Sequence, residues 1–506
     1  MTVTAFRLEN FMAFADTGWI ELRPITLLFG RNSSGKSAII RALRLLGQSL
    51  NTSPDSPLRF IDEYGLDVGS YPQIAHGYHP TTGEQPPQIT FHFRCSTPAA
   101  LDNARSLLNE WRQNMQLPTI AATKDDYLTL SVTFGNDPHH GSELRNIQLS
   151  CSWNVSEQPD QHLLLAAYRL SPEDWRELNY EWWLSSDFPL LTELEWKQTS
   201  IEPTTGFLPN LSDPPRPELG NIWTELCETI RTFLIGIEYL GTMRPEPQQI
   251  YLFDEVTRQQ WRQRGWGVFL DFLEDRLDYE KLVKVDQWLQ TLDLGEQIRP
   301  PVVAKGKEFT VARIEIEQGE AKLPINLKNT GYGASQVIPI IIQSVTARQR
   351  VTKQTSPLVI IEQPERHLHP RAQSRLADVF VDAIYRVVQQ KDEEGNIETI
   401  RNYTDVFLIL ETHSEDLLLR LRRRIAESTI GKHLNSMAPN LHLETKDVGM
   451  YFVHRWLEKQ QSSITLSPLN KFGDLLEKPE GFAGFFSNDL QELRAITSAK
   501  LEAPEE

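Results

Sequence analysis

Runs of apolar residues punctuate this chain with two different periods. Residues 25–29 (ITLLF) form a short apolar, partly β-branched run of strand character, and residues 358–361 (LVII) and 406–410 (VFLIL) are apolar without alternation. Such runs predict strands buried on both faces. Residues 89–94, 127–134 and 146–153 instead alternate apolar with polar, which predicts strands of an antiparallel lobe. Residues 6–11 and 19–22 read as two further short strands. The 3.6-residue period appears over 38–46, 222–234, from 253 to 294, after 337 and from 371 to 388, and predicts helices. Residues 308–327, broken at Gln318-Gly319, predict a hairpin. Residues 51–85 are rich in Pro, Gly, Ser and Asp and read as loop, and residues 155–220 read as an irregular insertion.

The order of these elements predicts an α/β fold whose head is split around a mixed β/α insertion of roughly 200 residues. The expected boundaries are 1–87 for the first half, 88–305 for the insertion with its connecting helices, 306–445 for the second half and 446–506 for a C-terminal region. No repeat of 20 to 50 residues interrupts this order.

Between the first apolar strand and its helix lies Gly30-Arg31-Asn32-Ser33-Ser34-Gly35-Lys36-Ser37, which matches G-x-x-x-x-G-K-[ST] and with the following Ala38 is expected to bind the nucleotide. Phosphate oxygens need bare backbone N–H groups at a helix N-terminus, whose dipole favours negative charge, and Gly30 and Gly35 permit that approach. Lys36 would reach the terminal phosphates of ATP, and the Ser37 hydroxyl would hold Mg²⁺. Gln73, in the following loop, is a candidate for reaching the nucleotide, with a surface turn as the other reading.

A second set of polar residues follows the insertion. Gly331, Gly333, Ser335 and Gln336 precede an apolar helix that Ser335 is expected to cap, making a second anion site, with Pro339 early enough in that helix to be tolerated. The strand at 358–361 ends in Glu362-Gln363-Pro364-Glu365, which would deliver a Mg²⁺-holding carboxylate to the phosphate loop. His367 and His369 lack a third metal ligand in the sequence. The strand at 406–410 ends in Glu411-Thr412-His413-Ser414, at the end of a parallel strand where open α/β sheets bind ligands. His413 could bond the γ-phosphate or the attacking water. Arg420, Arg422, Arg423 and Arg424 then form a basic helix face, open to solvent or to a phosphate backbone.

Composition narrows these readings. The 506 residues carry a formal net charge of −17, which argues against a general nucleic-acid coat. Three separated cysteines suggest a reducing, cytoplasmic setting with buried thiols. No apolar stretch approaches the ~20 residues of a membrane span, so no membrane partner is expected. Twelve tryptophans, several between residues 153 and 196, suggest the core of a mixed β domain, and Asp392-Glu393-Glu394 a solvated loop.

Taken in order, the phosphate loop, long insertion, glycine-serine-glutamine signature, acidic strand with its H-L-H-P turn and E-T-H-S switch strand resemble the ABC-type ATPase heads of the SMC, RecF and OLD branch. The resemblance covers residues 1–50 and about 325–425. Residues 479–486 (PEGFAGFF) are similar to the P-x-G-F-F ending of a prokaryotic subgroup, and relatives of the branch include the ATPase subunits of antiphage systems such as Septu and PARIS. The resemblance implies a homodimer, or a higher even oligomer, formed as a sandwich around ATP. The loop, Lys36, Ser37 and Glu362 of one subunit would hold ATP and Mg²⁺, and Ser335 of the partner would cap the γ-phosphate.

One departure bears on mechanism. The usual Asp-Glu pair, metal ligand then base, reads Glu362-Gln363 here, and glutamine cannot accept a proton as a carboxylate does. Either Glu365 or Glu411 takes over with His413 positioning water, or hydrolysis is slow and ATP acts as a dimer-holding switch, which is the expectation adopted. Residues 425–506 show no acidic cluster of the OLD nuclease kind, so any cutting is assigned to a separate effector protein. The expected role is a sensor or scaffold ATPase in antiphage defence; the alternative is a DNA-gripping clamp in repair or chromosome maintenance.

Overall fold

The computed structural model describes residues 2–477 apart from 54–55, 63–64, 80, 82, 115, 117–118, 120–121, 123–125, 156–157, 171–178, 186–197, 201–205, 209–216, 265, 275–276, 300–303, 306–308, 320–322, 348–356, 392–396, 405, 431–440 and 457. Its centre is a six-stranded sheet in the order Ile237–Leu240, Leu358–Glu362, Phe407–Thr412, Ile25–Phe29, Val448–Trp456, Gln461–Leu466. The first five strands run parallel and the sixth returns antiparallel.

The uninterrupted apolar runs follow from what covers this sheet. Leu28, Ile360 and Ile409 point into one core with Ile39, Ile40 and Leu43 of the helix Lys36–Gln48 and Trp223 and Leu226 of the helix Pro217–Ile235. Leu27, Ile361 and Leu410, on the other face, join a second core with Ile338 and Ile341 of Tyr332–Ala347, Leu376 of Pro370–Ile384 and Leu421 of Glu415–Ile430. Successive side chains therefore all leave water, although they leave it in opposite directions.

A nine-stranded antiparallel sheet packs on the first core. Thr2–Phe11 lies between Ile89–Ser96 and Phe14–Asp16, with Ile20–Glu21 also pairing to it, and Ile89–Ser96 leads on to Tyr127–Gly135 and Glu143–Val155. The sheet then continues through Gln158–Leu170, Asn179–Ser185 and Gln198–Ser200, where the sequence predicts irregular chain. Pairing on both sides of Gln158–Leu170 shifts register between Leu164 and Ala167, where this strand carries an extra residue. That extra residue reverses the phase of the alternation within Gln158–Leu170, so no sustained period of two survives there. The side chains of the tryptophans between 153 and 196 lie outside the described residues.

Three other expectations change. The helix expected over 371–388 ends at Ile384, and Tyr385–Lys391 pairs with Ile397–Tyr403 as a hairpin, which suits its β-branched Val387 and Val388. The acidic run at 392–394 falls outside the described residues. The helical stretch from 253 to 294 is three helices, Glu255–Gln263, Gly267–Leu273 and Tyr279–Thr291. Within 308–327, only Glu315–Gln318 and Leu323–Asn326 form the hairpin, whereas Thr310–Ala312 pairs with Tyr251–Phe253. Among the described residues no helix is long and apolar enough to cross a membrane.

Candidate functional site

Strand register assembles the site. Parallel pairing sets Glu362 beside Glu411, and Glu411 beside Leu28, one residue from the end of the strand that feeds the phosphate loop. Residues abreast in a parallel sheet share a face, so both carboxylates stand on the face covered by the helix Lys36–Gln48. The carboxyl ends of the three central strands thus meet at one helix N-terminus.

The loop between strand and helix takes conformations that explain its composition. Gly30 has φ 154° and Gly35 φ 109°, Ser33 is left-handed at φ 60°, and a methyl group on Gly30 would overlap the Val453 carbonyl oxygen. The helix N-terminus carries neither a side-chain cap nor an acidic residue in its first turn, which leaves its dipole available to an anion. Arg31, Asn32 and Ser33 are exposed, whereas Ser34, Lys36 and Ala38 are buried. The buried Ser34 hydroxyl has no hydrogen-bond partner among the described residues. The Lys36 ammonium donates to the carbonyls of Gly30 and Arg31 at 3.0 and 2.8 Å, and burial lowers its pKa against the opposing pull of Glu411 and Glu365.

The Ser37 hydroxyl lies 3.1 and 3.0 Å from the two carboxylate oxygens of Glu411. With Glu362 abreast, the donors here are all oxygen, which suits a hard cation such as Mg²⁺. Burial and the neighbouring Glu362 charge push Glu411 up to about 7, and burial also raises Glu362. A divalent cation would relieve that repulsion. Glu411 thus stands closer to Ser37 than the sequence reading, which assigns the metal to Ser37 and Glu362, anticipates.

The rest of the acidic turn is organised by backbone contacts. Gln363 is left-handed at φ 44°, and its N–H donates to the Glu411 carbonyl at 2.7 Å. The Glu365 carboxylate accepts the His413 N–H at 2.7 Å, and burial raises its pKa. The His413 imidazole is held neutral, with its pKa pushed down to about 4 by burial and then by Lys36. Glu362, Gln363, Glu365 and His413 therefore gather at the phosphate loop.

The signature helix departs from expectation. It begins at Tyr332, so Ser335 lies inside the first turn rather than at the cap, and its hydroxyl donates to the Tyr332 carbonyl at 2.7 Å. Pro339 is interior to the helix. Ser335 and Gln336 are only 2% and 3% exposed, while Gly331 and Tyr332 face solvent. Gly333 is needed for close approach, since a methyl there would come within 2.8 Å of the His367 carbonyl oxygen.

Several candidates separate from the site. Gln73 folds back on Ser70 at an exposed turn. His369 caps the helix Pro370–Ile384, His367 packs its ring edge-on against Tyr332, and no three His, Cys, Asp or Glu side chains group as a metal site among the described residues. The basic helix face is neither open nor solvated throughout. Arg420 and Arg424 both bind Asp378, Arg423 and Arg424 bind Glu427, and Arg422 binds the Gly473 carbonyl and Asp474. A phosphate backbone would have to displace those partners.

Sequence reading passed over two residues that the tertiary structure brings in. The Tyr239 hydroxyl opposes the rise in the Glu362 pKa, and its ring carries the Arg44 guanidinium at 3.7 Å. Arg244 donates from Nη2 to the carbonyls of Glu362 and Gln363 at 2.8 and 3.0 Å. Both lie on or just after the edge strand Ile237–Leu240, whose only sequence signal is that it is short and apolar before Gly241.

Family models match both halves of this site. One described as an AAA domain covers residues 6–94, and one described as an AAA ATPase domain covers residues 280–418. At that level the chain is similar to ATP-binding ATPases. No curated protein matches it. Among solved structures, the SMC head domain from Thermotoga maritima is 8% identical over 93% of this chain and 100% of its own, with a TM-score of 0.34. The Smc head domain with an extended coiled coil bound to the C-terminal domain of ScpA, from Pyrococcus furiosus, is 11% identical over 97% and 99%, with a TM-score of 0.37. Scores of this size carry no weight for function.

Proposed function

We propose that the protein is a slow ATPase whose dimer closes around ATP, and that it serves as the sensor or scaffold subunit of a prokaryotic defence complex with a separate effector. The observation that carries the ATP reading is the convergence of Lys36, Ser37, Glu362 and Glu411 on one uncapped helix N-terminus. Lys36 and the backbone of residues 30–38 would bind the phosphates, and Ser37, Glu411 and Glu362 would hold Mg²⁺, which screens phosphate charge when bound. Slow turnover follows from the neutral Gln363 at the usual position of the base. The defence setting rests on the motif order and on the PEGFAGFF stretch, which lies outside the described residues.

Dimerisation rests on the signature. Since Ser335 is buried within its own subunit, the part of the signature open to a partner is Gly331-Tyr332 at the start of the helix. Light scattering with and without ATP and Mg²⁺ tests the switch on wild type, Lys36→Ala and Tyr332→Arg. The expected outcome is nucleotide-dependent dimerisation in wild type, lost in both variants. Assembly indifferent to nucleotide, with ATP still consumed rapidly, would replace the switch by a constitutive scaffold.

A further inference from the structure

Arg244 is 4% exposed, and of its guanidinium only Nη2 is bonded, to the carbonyls of Glu362 and Gln363. Its Nε and Nη1 find no hydrogen-bond partner among the described residues. Leaving buried donors of a charged group unmade is costly, so a fold tolerates it where a ligand completes the set. Burial brings Arg244 down to about 10, and Glu365 leads the charges that oppose that fall.

Glu365 shows the complementary deficit. One carboxylate oxygen, Oε1, accepts from His413, while Oε2 is buried without a partner among the described residues. Glu365 and Glu411 are also the two carboxylates whose charge acts on Lys36. Two open N–H groups and one open carboxylate oxygen therefore stand at the acidic turn that carries Glu362 and Gln363.

We propose that Arg244 is a catalytic residue of the ATPase: its Nε–Nη1 edge donates to the γ-phosphoryl group while Glu365 Oε2 takes the proton of the attacking water. In this step a bond forms from the water oxygen to the γ-phosphorus, the bond from that phosphorus to the β–γ bridging oxygen breaks, and ADP and phosphate result. The Nη2 contacts meanwhile fix the guanidinium against the acidic turn, so that the donors are oriented before charge develops. The base then sits two residues beyond Gln363, on the same turn. This inference rests on the ATPase reading but not on its slow turnover, since it supplies a carboxylate base in place of Gln363.

The test is single-turnover hydrolysis of ATP, with binding of the non-hydrolysable analogue adenylyl-imidodiphosphate measured alongside. Arg244→Ala is expected to lose about 10²–10³-fold in rate while still binding the analogue, and to regain rate on addition of guanidinium ion. Glu365→Gln should lose rate similarly, and the double variant should be little worse than either, because the two act as a unit. A rate loss that guanidinium does not rescue, in an Arg244→Ala protein of lowered melting temperature, would make Arg244 a structural clamp and overturn the proposal. If Arg244→Ala does not fold, Arg244→Lys keeps the charge without the fork. A wild-type rate in Arg244→Lys would equally overturn the proposal. A wild type that neither binds the analogue nor hydrolyses ATP would remove the ATPase reading itself; a competent wild type with an undiminished Arg244→Ala removes only this inference.

Discussion

Two clusters of buried charge in this protein are built on opposite plans. On the helix Glu415–Ile430 the charges neutralise one another: Arg424, 1% exposed, lies 2.7 Å from Asp378 and 2.9 Å from Glu427, and Arg420 shares Asp378 at 2.7 Å. At the phosphate loop they are held by neutral atoms. Lys36 and Arg244 rest on carbonyls, Glu411 on a hydroxyl and Glu365 on a backbone N–H. The pKa values register the difference. Burial alone would raise Asp378, but Arg424 and Arg420 hold it below its ordinary value, whereas Glu362, Glu365 and Glu411 all stay above theirs. A cluster that cancels its own charge is structural; one whose charge is kept oriented and uncancelled is prepared for a ligand.

The sharpest way to break the comparison is at Lys36. Lys36→Ala should reduce ATP hydrolysis by about 10²–10³-fold with little change in the melting temperature of the nucleotide-free protein, as steady-state kinetics and calorimetry would show. Asp378→Ala should do the reverse, stranding Arg424 in the core at about 3–5 kcal/mol of stability, read by urea unfolding, with the rate per folded molecule preserved. Equal stability costs at the two sites would erase the distinction.

A smaller effect sharpens it from the other side. Glu411→Gln removes the carboxylate charge facing Glu362 and should stabilise the nucleotide-free protein by about 1–2 kcal/mol. It should also abolish the extra stability that ATP with Mg²⁺ confers on wild type. Thermal unfolding with and without ligand measures both.

The smallest effect concerns a carboxylate held by neutral donors on the helix Tyr279–Thr291. Asp286 accepts the Ile298 N–H at 2.7 Å, and burial lifts it from an ordinary 3.8 to about 6. Because the folded value exceeds the unfolded one, its contribution is complete below about 3.8 and is lost as pH rises through about 6. Asp286→Asn should therefore gain stability relative to wild type above that pH, by about 1 kcal/mol once solvent screening of a half-buried group is allowed for. A flat difference between pH 4 and 8 would count against the assignment.

The same contrast explains how much could be read in advance. The phosphate loop is contiguous, and its requirements, positive φ at Gly30 and Gly35 and a helix that starts at Lys36, are written in adjacent residues. The acidic strand ends were legible for a similar reason, since a strand buried on both faces shows as an unbroken apolar run that stops where its carboxylates begin. The face of Arg420 to Arg424 was misread because a helix period shows which residues are neighbours on the helix but not that Asp378, on another helix, is waiting for them. A bulge hid the strand Gln158–Leu170 of the antiparallel sheet in the same way, by resetting the phase of its pattern.

By itself, then, the sequence determined the two kinds of strand, the phosphate loop with Lys36 and Ser37, and the polar ends of the strands at 358–362 and 407–412. These depend on residues within one or two turns or strand lengths of one another, where covalent connection already sets the distances. Only the tertiary structure decided that Glu411 rather than Glu362 faces Ser37, that Ser335 turns inward, that Arg424 pairs with carboxylates and that Arg244 rests on carbonyls. Those outcomes are set by strand register and by packing across the two cores, and register is chosen by the whole sheet rather than by any segment of it.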